Sequence, residues 1–277
     1  MTRIYHLNRT REIINEYDLD FKKSLGQNFL IDGNVLKKIA DASGIDESSK
    51  VLEVGPGIGS LTEELLLRGS SVNSIEIDQR FYPILEENLD RFKNFKLFKG
   101  DATDENLFKQ AANGCQFFVA NLPYVVTTPI LENIFTLGDF KSATIMVQRE
   151  VAIRMTAKPG TKDYSALSVF VEYFSDAEEL FVVKRGAFIP SPKVESSVVG
   201  LKLKQRRDHK SFMKLVHAAF GLRRKTILNS ISMGLNCDKE FLNEAFLNCN
   251  INPQSRAENL SVEDYVKLQS ELQEYLK

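Results

Sequence analysis

Val51-Leu52-Glu53-Val54-Gly55-Pro56-Gly57-Ile58-Gly59 is the stretch on which the fold of this 277-residue chain turns. A short apolar run ends in a glycine-rich loop, and Ser60 to Arg68 then carries apolar residues at helical spacing. The order reads as strand, tight turn, helix. Glycines at that junction let the backbone turn sharply and pass close to a ligand at the helix N-terminus. The spacing is G-x-G-x-G, one residue shorter than the G-x-G-x-x-G of dinucleotide binders, and Glu53 adds negative charge where a pyrophosphate would sit. The loop favours a cationic ligand over a nicotinamide dinucleotide, and a purely structural glycine turn also satisfies it.

Outward from this loop the alternation repeats. Strands are predicted at Val72 to Ile77, Phe95 to Phe98, Phe117 to Ala120 and Ala143 to Val147, with helical Phe81 to Phe92 among them. This predicts an α/β fold of Rossmann-like type with a predominantly parallel sheet. Further strands are expected at Leu167 to Phe174, Glu179 to Val183 and Ser196 to Leu203, without as many helices between them. The sheet should therefore end in an antiparallel hairpin. After Lys204 the pattern turns helical, over Phe212 to Phe220, Arg224 to Met233, Asp238 to Asn248 and Val262 to Tyr275. Ser261, with Asp264 three residues on, opens the last as a capping box. The expected division is a first domain over 1–207, with an N-terminal arm to about 25, and a small C-terminal all-α domain over 208–277.

Three strand tips then carry chemistry to one edge of the sheet. Glu76, in Ile75-Glu76-Ile77-Asp78, ends a strand where a carboxylate can accept both ribose hydroxyls of a bound adenosine. Asp101, in Gly100-Asp101-Ala102, can accept from an adenine amino group. Each alone also suits a helix cap or a solvated loop. The run from Phe117 stops at Asn121-Leu122-Pro123-Tyr124. Asn121 offers an amide oxygen to an exocyclic amine, Pro123 fixes the chain so that the Leu122 carbonyl is aimed, and Tyr124 offers a ring for stacking. A strand followed by a proline turn is the plainer reading of those four residues.

Composition narrows the partners. Lys plus Arg total 36 against 37 Asp plus Glu, a net charge of −1, so distribution matters more than the total. From Lys202 to Lys225 the basic residues Lys202, Lys204, Arg206, Arg207, Lys210, Lys214, Arg223, Arg224 and Lys225 face one acid, Asp208. Such a patch suits RNA phosphates, and a solvated face would carry the same residues. Lys22 and Lys23 offer a second contact. Cys115, Cys237 and Cys249 lack metal-type spacing, and His6, His209 and His217 do not cluster with them. Neither a disulfide framework nor a metal site is expected, and a reducing cytosol fits. There is no apolar run of membrane-spanning length, and the start lacks a signal-peptide core.

Together these segments resemble S-adenosylmethionine-dependent methyltransferases of the Rossmann-like class. The tetrapeptide is similar to the motif of the N6-adenine methyltransferases, and within them the chain resembles the ribosomal RNA adenine dimethyltransferase family, small-subunit branch. The likeness runs from about Lys22 to Tyr265 and includes Leu25-Gly26-Gln27-Asn28-Phe29-Leu30, Gln148-Arg149-Glu150-Val151-Ala152 and Gly186-Ala187-Phe188-Ile189-Pro190-Ser191-Pro192. It implies S-adenosylmethionine as cofactor and no metal, with Asn28, Leu30, Gly55, Gly57, Glu76, Asp101 and Asn121 lining the cofactor site. It also implies that Asn121, Leu122, Pro123 and Tyr124 act on the base, with Phe188 facing Tyr124 across it; by residue type alone Phe188 suits core packing.

The implied RNA contacts are Lys22, Lys23, Arg206, Arg207, Arg223, Arg224 and Lys225. The implied reaction is dimethylation of N6 on two adjacent adenines in a loop near the 3′ end of small-subunit (16S) rRNA. The implied partner is the immature small ribosomal subunit, met by a monomer in the cytoplasm. Two alternatives stand beside it: a large-subunit (23S) adenine methyltransferase of the macrolide-resistance type, and an assembly or transcription factor in which RNA binding outweighs catalysis. Val125 stands where the family usually has Asn.

Overall fold

The computed structural model describes residues 2–19, 28–123, 126–204, 209–222 and 224–277. The chain divides into two compact units, Met1–Ala152 with Glu178–Leu203, and Ile153–Ala177 with Lys204–Lys277. In chain order the elements are α1 (Leu7–Glu16), β1 (Phe29–Leu30), α2 (Gly33–Ser43), β2 (Lys50–Val54), α3 (Ser60–Leu67), β3 (Ser71–Glu76), α4 (Phe81–Leu89), β4 (Phe95–Lys99) and α5 (Glu105–Ala112). They continue as β5 (Phe117–Asn121), α6 (Thr127–Thr136), β6 (Ser142–Gln148), α7 (Arg149–Thr156), α8 (Ala166–Phe174), β7 (Ser175–Val183), β8 (Phe188–Ile189) and β9 (Ser196–Leu203).

The first unit is built on a seven-stranded sheet in the order β4-β3-β2-β5-β6-β9-β7. Pairings β4-β3, β3-β2, β2-β5 and β5-β6 are parallel, as the alternating pattern predicts. β9 runs antiparallel to β6, from Ser142 opposite Lys202 to Gln148 opposite Ser196, which provides the expected antiparallel end. Strand order reverses between β2 and β5, and in open α/β sheets the crevice for a ligand lies at the carboxyl ends of the strands at such a switch point. The central strands are buried on both faces, with Val51, Leu52, Phe118 and Val119 fully enclosed. A second, two-stranded sheet pairs β1 with β8, setting Leu30 opposite Phe188.

The N-terminal segment is stapled to α3. Arg3 pairs with Glu63 at 2.9 Å and with Glu64 at 2.5 Å, and the Ile4 N–H donates to Glu63 at 3.0 Å. Arg91 reaches the other Glu63 oxygen at 2.6 Å, so this buried carboxylate is compensated from several sides.

Leu167 to Phe174 is a helix, not the expected strand. α8 is buried almost all round, through Ser168, Val169, Phe170, Val171, Tyr173 and Phe174. Periodicity cannot distinguish a short, fully buried helix from a buried strand, and its Val and aromatic content tips such a reading toward strand. The deciding signal is at its start, where the Ser165 N–H donates to Ser168 Oγ at 2.9 Å in a capping box.

α8 belongs to the second unit, so the expected single break at 207/208 differs from the observed division: the second unit resumes at Lys204 and also takes in Ile153–Ala177. Its remaining helices are α9 (Lys210–Phe220), α10 (Ile227–Leu235), α11 (Lys239–Asn248), α12 (Val262–Glu271) and α13 (Gln273–Leu276). Tyr173 of α8 stacks on Phe212 of α9 with centroids 3.9 Å apart, and Tyr164 meets Phe220 at 6.5 Å. The capping box opening α12 is formed, with Ser261 N–H donating to Asp264 at 3.0 Å and Asp264 N–H donating to Ser261 Oγ at 3.2 Å. α10 begins after Thr226 rather than at Arg224.

α9 and α10 approach closely at Gly234, where an added Cβ would lie 2.7 Å from the Ala218 Cβ and 2.8 Å from its Cα. Gly234→Ala is therefore expected to destabilise the helical unit by about 1–3 kcal/mol through overpacking, read as a lowered denaturant midpoint at unchanged slope.

Candidate active site

A cavity of about 180 Å³ opens at the carboxyl ends of the central strands. Its walls include the β2–α3 loop from Gly55 to Ile58, Glu76 and Ile77 after β3, Gly100 to Ala102 after β4, and Asn121 to Pro123 after β5. Asn28 and Leu30 complete the set, so every residue expected to bind the cofactor borders this one space. Leu122 and Pro123 border it too.

The loop has the conformation that its glycines allow. Gly55 and Gly57 have φ of 72° and 59°, and a Cβ on Gly57 would press on the Phe29 ring at 3.2 Å. Glu76 holds this loop: its Oε2 accepts from the Gly57 N–H at 3.1 Å, and its Oε1 accepts from the Asp78 N–H at 2.8 Å. Burial pushes the Glu76 carboxyl up to about 7, against the opposing effect of those two bonds. Asn88 braces the loop from α4 by donating to the Ile58 carbonyl at 3.1 Å.

Glu53 departs from its expected part. It borders the cavity, but the side chain is 1% exposed and its Oε2 accepts from Thr62 Oγ1 at 2.7 Å and Ser74 Oγ at 2.8 Å. Burial raises its carboxyl to about 7. It ties β2 to β3 and α3 and sets no exposed negative charge in the place of a pyrophosphate.

Asp101 is exposed at the cavity edge, and its Oδ1 accepts from the Thr103 N–H at 2.8 Å. Asn121 is the last residue of β5, opposite Met146 in β6, and the Leu122 N–H donates to the Met146 carbonyl at 3.0 Å. That bond fixes the direction in which the chain leaves the strand. Among the described residues, no hydrogen bond occupies the Asn121 side chain or the Leu122 carbonyl. Two acceptors on residues that border the cavity therefore remain available.

Phe188 is 4% exposed, belongs to the main apolar core and does not line the cavity; it backs Leu30 through the β1–β8 pairing. Tyr124, with Val125, lies outside the described residues. So do Lys22, Lys23, Arg206, Arg207 and Arg223. Arg224 and Lys225 are exposed immediately before the Thr226 N-cap of α10. Lys204 and Lys214 are engaged within the helical unit, Lys204 with Asp176 at 2.7 Å and Lys214 with the Lys277 carbonyl at 2.9 Å. The apolar walls Phe29, Ile75, Ile77, Phe81 and Ile130 were not anticipated. Ile77, half-exposed directly after Glu76, is the one with a readable signal.

Among solved structures, a dimethyladenosine transferase from Plasmodium falciparum is similar with a TM-score of 0.78 at 27% identity, covering 89% of this chain and 98% of that one. The 23S rRNA methyltransferase ErmE is similar with a TM-score of 0.66 at 25% identity, covering 88% and 99%. The sheet order, the glycine loop and the acceptors around one cavity define a class I methyltransferase. The profile described as ribosomal RNA adenine dimethylase matches residues 18–274, and the chain belongs to that family. A ribosomal RNA small subunit methyltransferase A of Clostridium botulinum (strain Okra / Type B1) is 44% identical over 266 residues, covering 94% of this chain and 96% of the relative. The protein of that name in Alkaliphilus oremlandii (strain OhILAs) is 44% identical over 284 residues, covering 98% and 99%.

Glu53→Gln keeps an oxygen for both Thr62 and Ser74 while removing the ionisation. Because the native carboxyl titrates near 7 rather than 4.5, the folded state holds more protons than the unfolded one between those values, and stability falls as pH rises through them. The variant should match wild type near pH 5 and exceed it by about 1–3 kcal/mol at pH 8, read from unfolding curves across that range.

Proposed function

We propose that this chain transfers methyl groups from S-adenosylmethionine to N6 of two adjacent adenines in a loop near the 3′ end of small-subunit rRNA, two to each base. The observation that carries the reading is the pair of available acceptors, Asn121 and the Leu122 carbonyl, on the same cavity as the glycine loop, Glu76 and Asp101. The small-subunit name of the 44%-identical relatives supports that substrate over large-subunit RNA. The proposed working unit is a monomer in the cytoplasm, and its partner is the immature small subunit. Among the described residues no helix is long and apolar enough to cross a membrane, and no cluster of His, Cys, Asp or Glu could hold a metal.

The residues present fit the cofactor. Glu76 uses one lone pair on each oxygen for the loop amides and keeps others for ribose hydroxyls. Asp101 retains acceptor capacity for the adenine amine, and the side-chain-free Gly55 and Gly57 let backbone approach the ligand. The cofactor supplies an electrophilic methyl on a sulfonium centre.

N6 of adenine is a poor nucleophile because its lone pair is delocalised into the ring. In the first transfer Asn121 and the Leu122 carbonyl accept from the two N6 protons, and in the second one of them accepts from the proton that remains, which favours a pyramidal nitrogen whose lone pair points along the line of transfer. The same acceptors stabilise the positive charge that develops on N6 until a proton is lost. Pro123 holds the Leu122 carbonyl in direction, and the Tyr124 ring is assigned to stacking on the extruded base, worth about 1–3 kcal/mol.

Arg224 and Lys225 are assigned to RNA phosphates. Positive charge beside a helix N-terminus is unfavourable for the helix itself, so stability of α10 does not account for them. Lys22, Lys23, Arg206, Arg207 and Arg223 are assigned to the same role by sequence.

Asn121→Ala should abolish dimethylation while leaving RNA affinity within about twofold, since one acceptor of the pair is lost and no phosphate contact. Primer extension across the 3′ region of small-subunit RNA and a filter-binding assay check the two halves; turnover within a few-fold of wild type overturns the assignment. Arg224→Ala with Lys225→Ala should lower the slope of log affinity against log salt by about 1–2, and an unchanged slope removes the patch as the docking surface.

A further inference from the structure

The Asp101 loop is held on each side of Asp101 and at Asp101 itself, whose carbonyl accepts from the Asp104 N–H at 3.1 Å. On one side the Gly100 N–H donates to the Glu76 carbonyl at 2.8 Å. On the other, the Ala102 carbonyl accepts from Asn133 Nδ2 of α6 at 2.9 Å, in a buried bond. Ala102 is 6% exposed and Asn133 8%, and among the described residues no other donor reaches that carbonyl. Ala102 and Asp101 both border the cavity.

α6 is also tied to the base-accepting tetrapeptide. The Pro123 carbonyl accepts from the Val126 N–H at 3.2 Å and from Thr127 Oγ1 at 3.4 Å, at the first turn of α6. Val126 and Ile130 line the cavity, while Asn133 sits further along the same helix. One helix thus anchors the loop that meets the target base and the loop that carries Asp101.

We propose that Asn133 is a positioning residue for the adenine end of the cofactor, acting through Asp101, and that α6 thereby couples base-site geometry to cofactor affinity. The inference rests on the S-adenosylmethionine reading above. Loss of the Asn133 donor leaves a buried carbonyl unpaired, a cost large enough to turn the Ala102 peptide toward another partner. The Asp101 carboxylate, one residue away, turns with it.

The test uses Asn133→Leu and Asn133→Asp in the full chain, both with the heavy-atom count and Cγ branching of Asn and neither able to donate as an ionised or apolar group. Calorimetric titration with S-adenosylmethionine and with S-adenosylhomocysteine should show Kd raised about tenfold for both ligands. In steady-state dimethylation the KM for cofactor should rise in step, with the KM for RNA and kcat within about twofold of wild type. In an Asp101→Asn background, Asn133→Leu should add little, because its effect passes through Asp101. Unchanged cofactor affinity with a lowered melting temperature overturns the inference. Losses that simply add in the double variant do so too, as does loss of the folded state in both variants, which would make Asn133 a core residue only. Wild-type protein that binds neither ligand overturns the cofactor reading itself.

Discussion

The hydrogen bond from the Gly57 N–H to the Glu76 carboxylate, 3.1 Å long, is the constraint on which the cavity depends. It joins the tips of β2 and β3, so the glycine loop and the Glu76 carboxylate cannot be displaced separately. The loop amide sits where ordinary secondary structure offers it no acceptor, and a carboxylate supplies one. The carboxylate is desolvated in return, which is why Glu76 titrates near 7. Donors that reach its remaining lone pairs shift the balance back to the ionised form.

Much of this was legible because its signals are local. A five-residue strand, three glycines at fixed spacing and an apolar first helix state the β2–α3 turn within about twenty residues of chain. Glu76, Asp101 and Asn121 were legible because parallel strands with crossover helices deliver their carboxyl tips to one edge, whatever their side chains are. The unread parts depend on distant contacts. Glu53 reads as a loop charge, and only the tertiary placement of Thr62 and Ser74 turns its carboxylate inward. The Asn88 and Asn133 braces span 30 and 31 residues, and nothing in the neighbourhood of either asparagine announces its target.

α8 shows a different limit. Ala166-Leu167-Ser168-Val169-Phe170-Val171-Glu172-Tyr173-Phe174 contains the residues that populate strands, and a fully buried helix has no polar face to betray its period. The serines at its start carry the information, because a capping box commits the first turn before packing does. Once helical, the segment stacks Tyr173 on Phe212 and belongs with the helices that follow Lys204 rather than with the sheet. The segment Ile153–Ala177 therefore falls in the second unit, since strand and helix seek different neighbours.

The site is assembled largely from backbone groups held by side chains, and this bears on how far the family can diverge. The Leu122 and Ala102 carbonyls are supplied by any residue at those positions, provided the chain is held in place, whereas the Gly57 amide needs the glycine conformation. The holding groups are few: Glu76 for the loop, Asn133 for the Asp101 turn, and the β5–β6 register that draws the Leu122 amide onto Met146. A fold shared with a TM-score of 0.78 at 27% identity is what such a division of labour permits. Walls can change their apolar residues freely so long as the braces keep the backbone at Gly57, Ala102 and Leu122 in place around the same space.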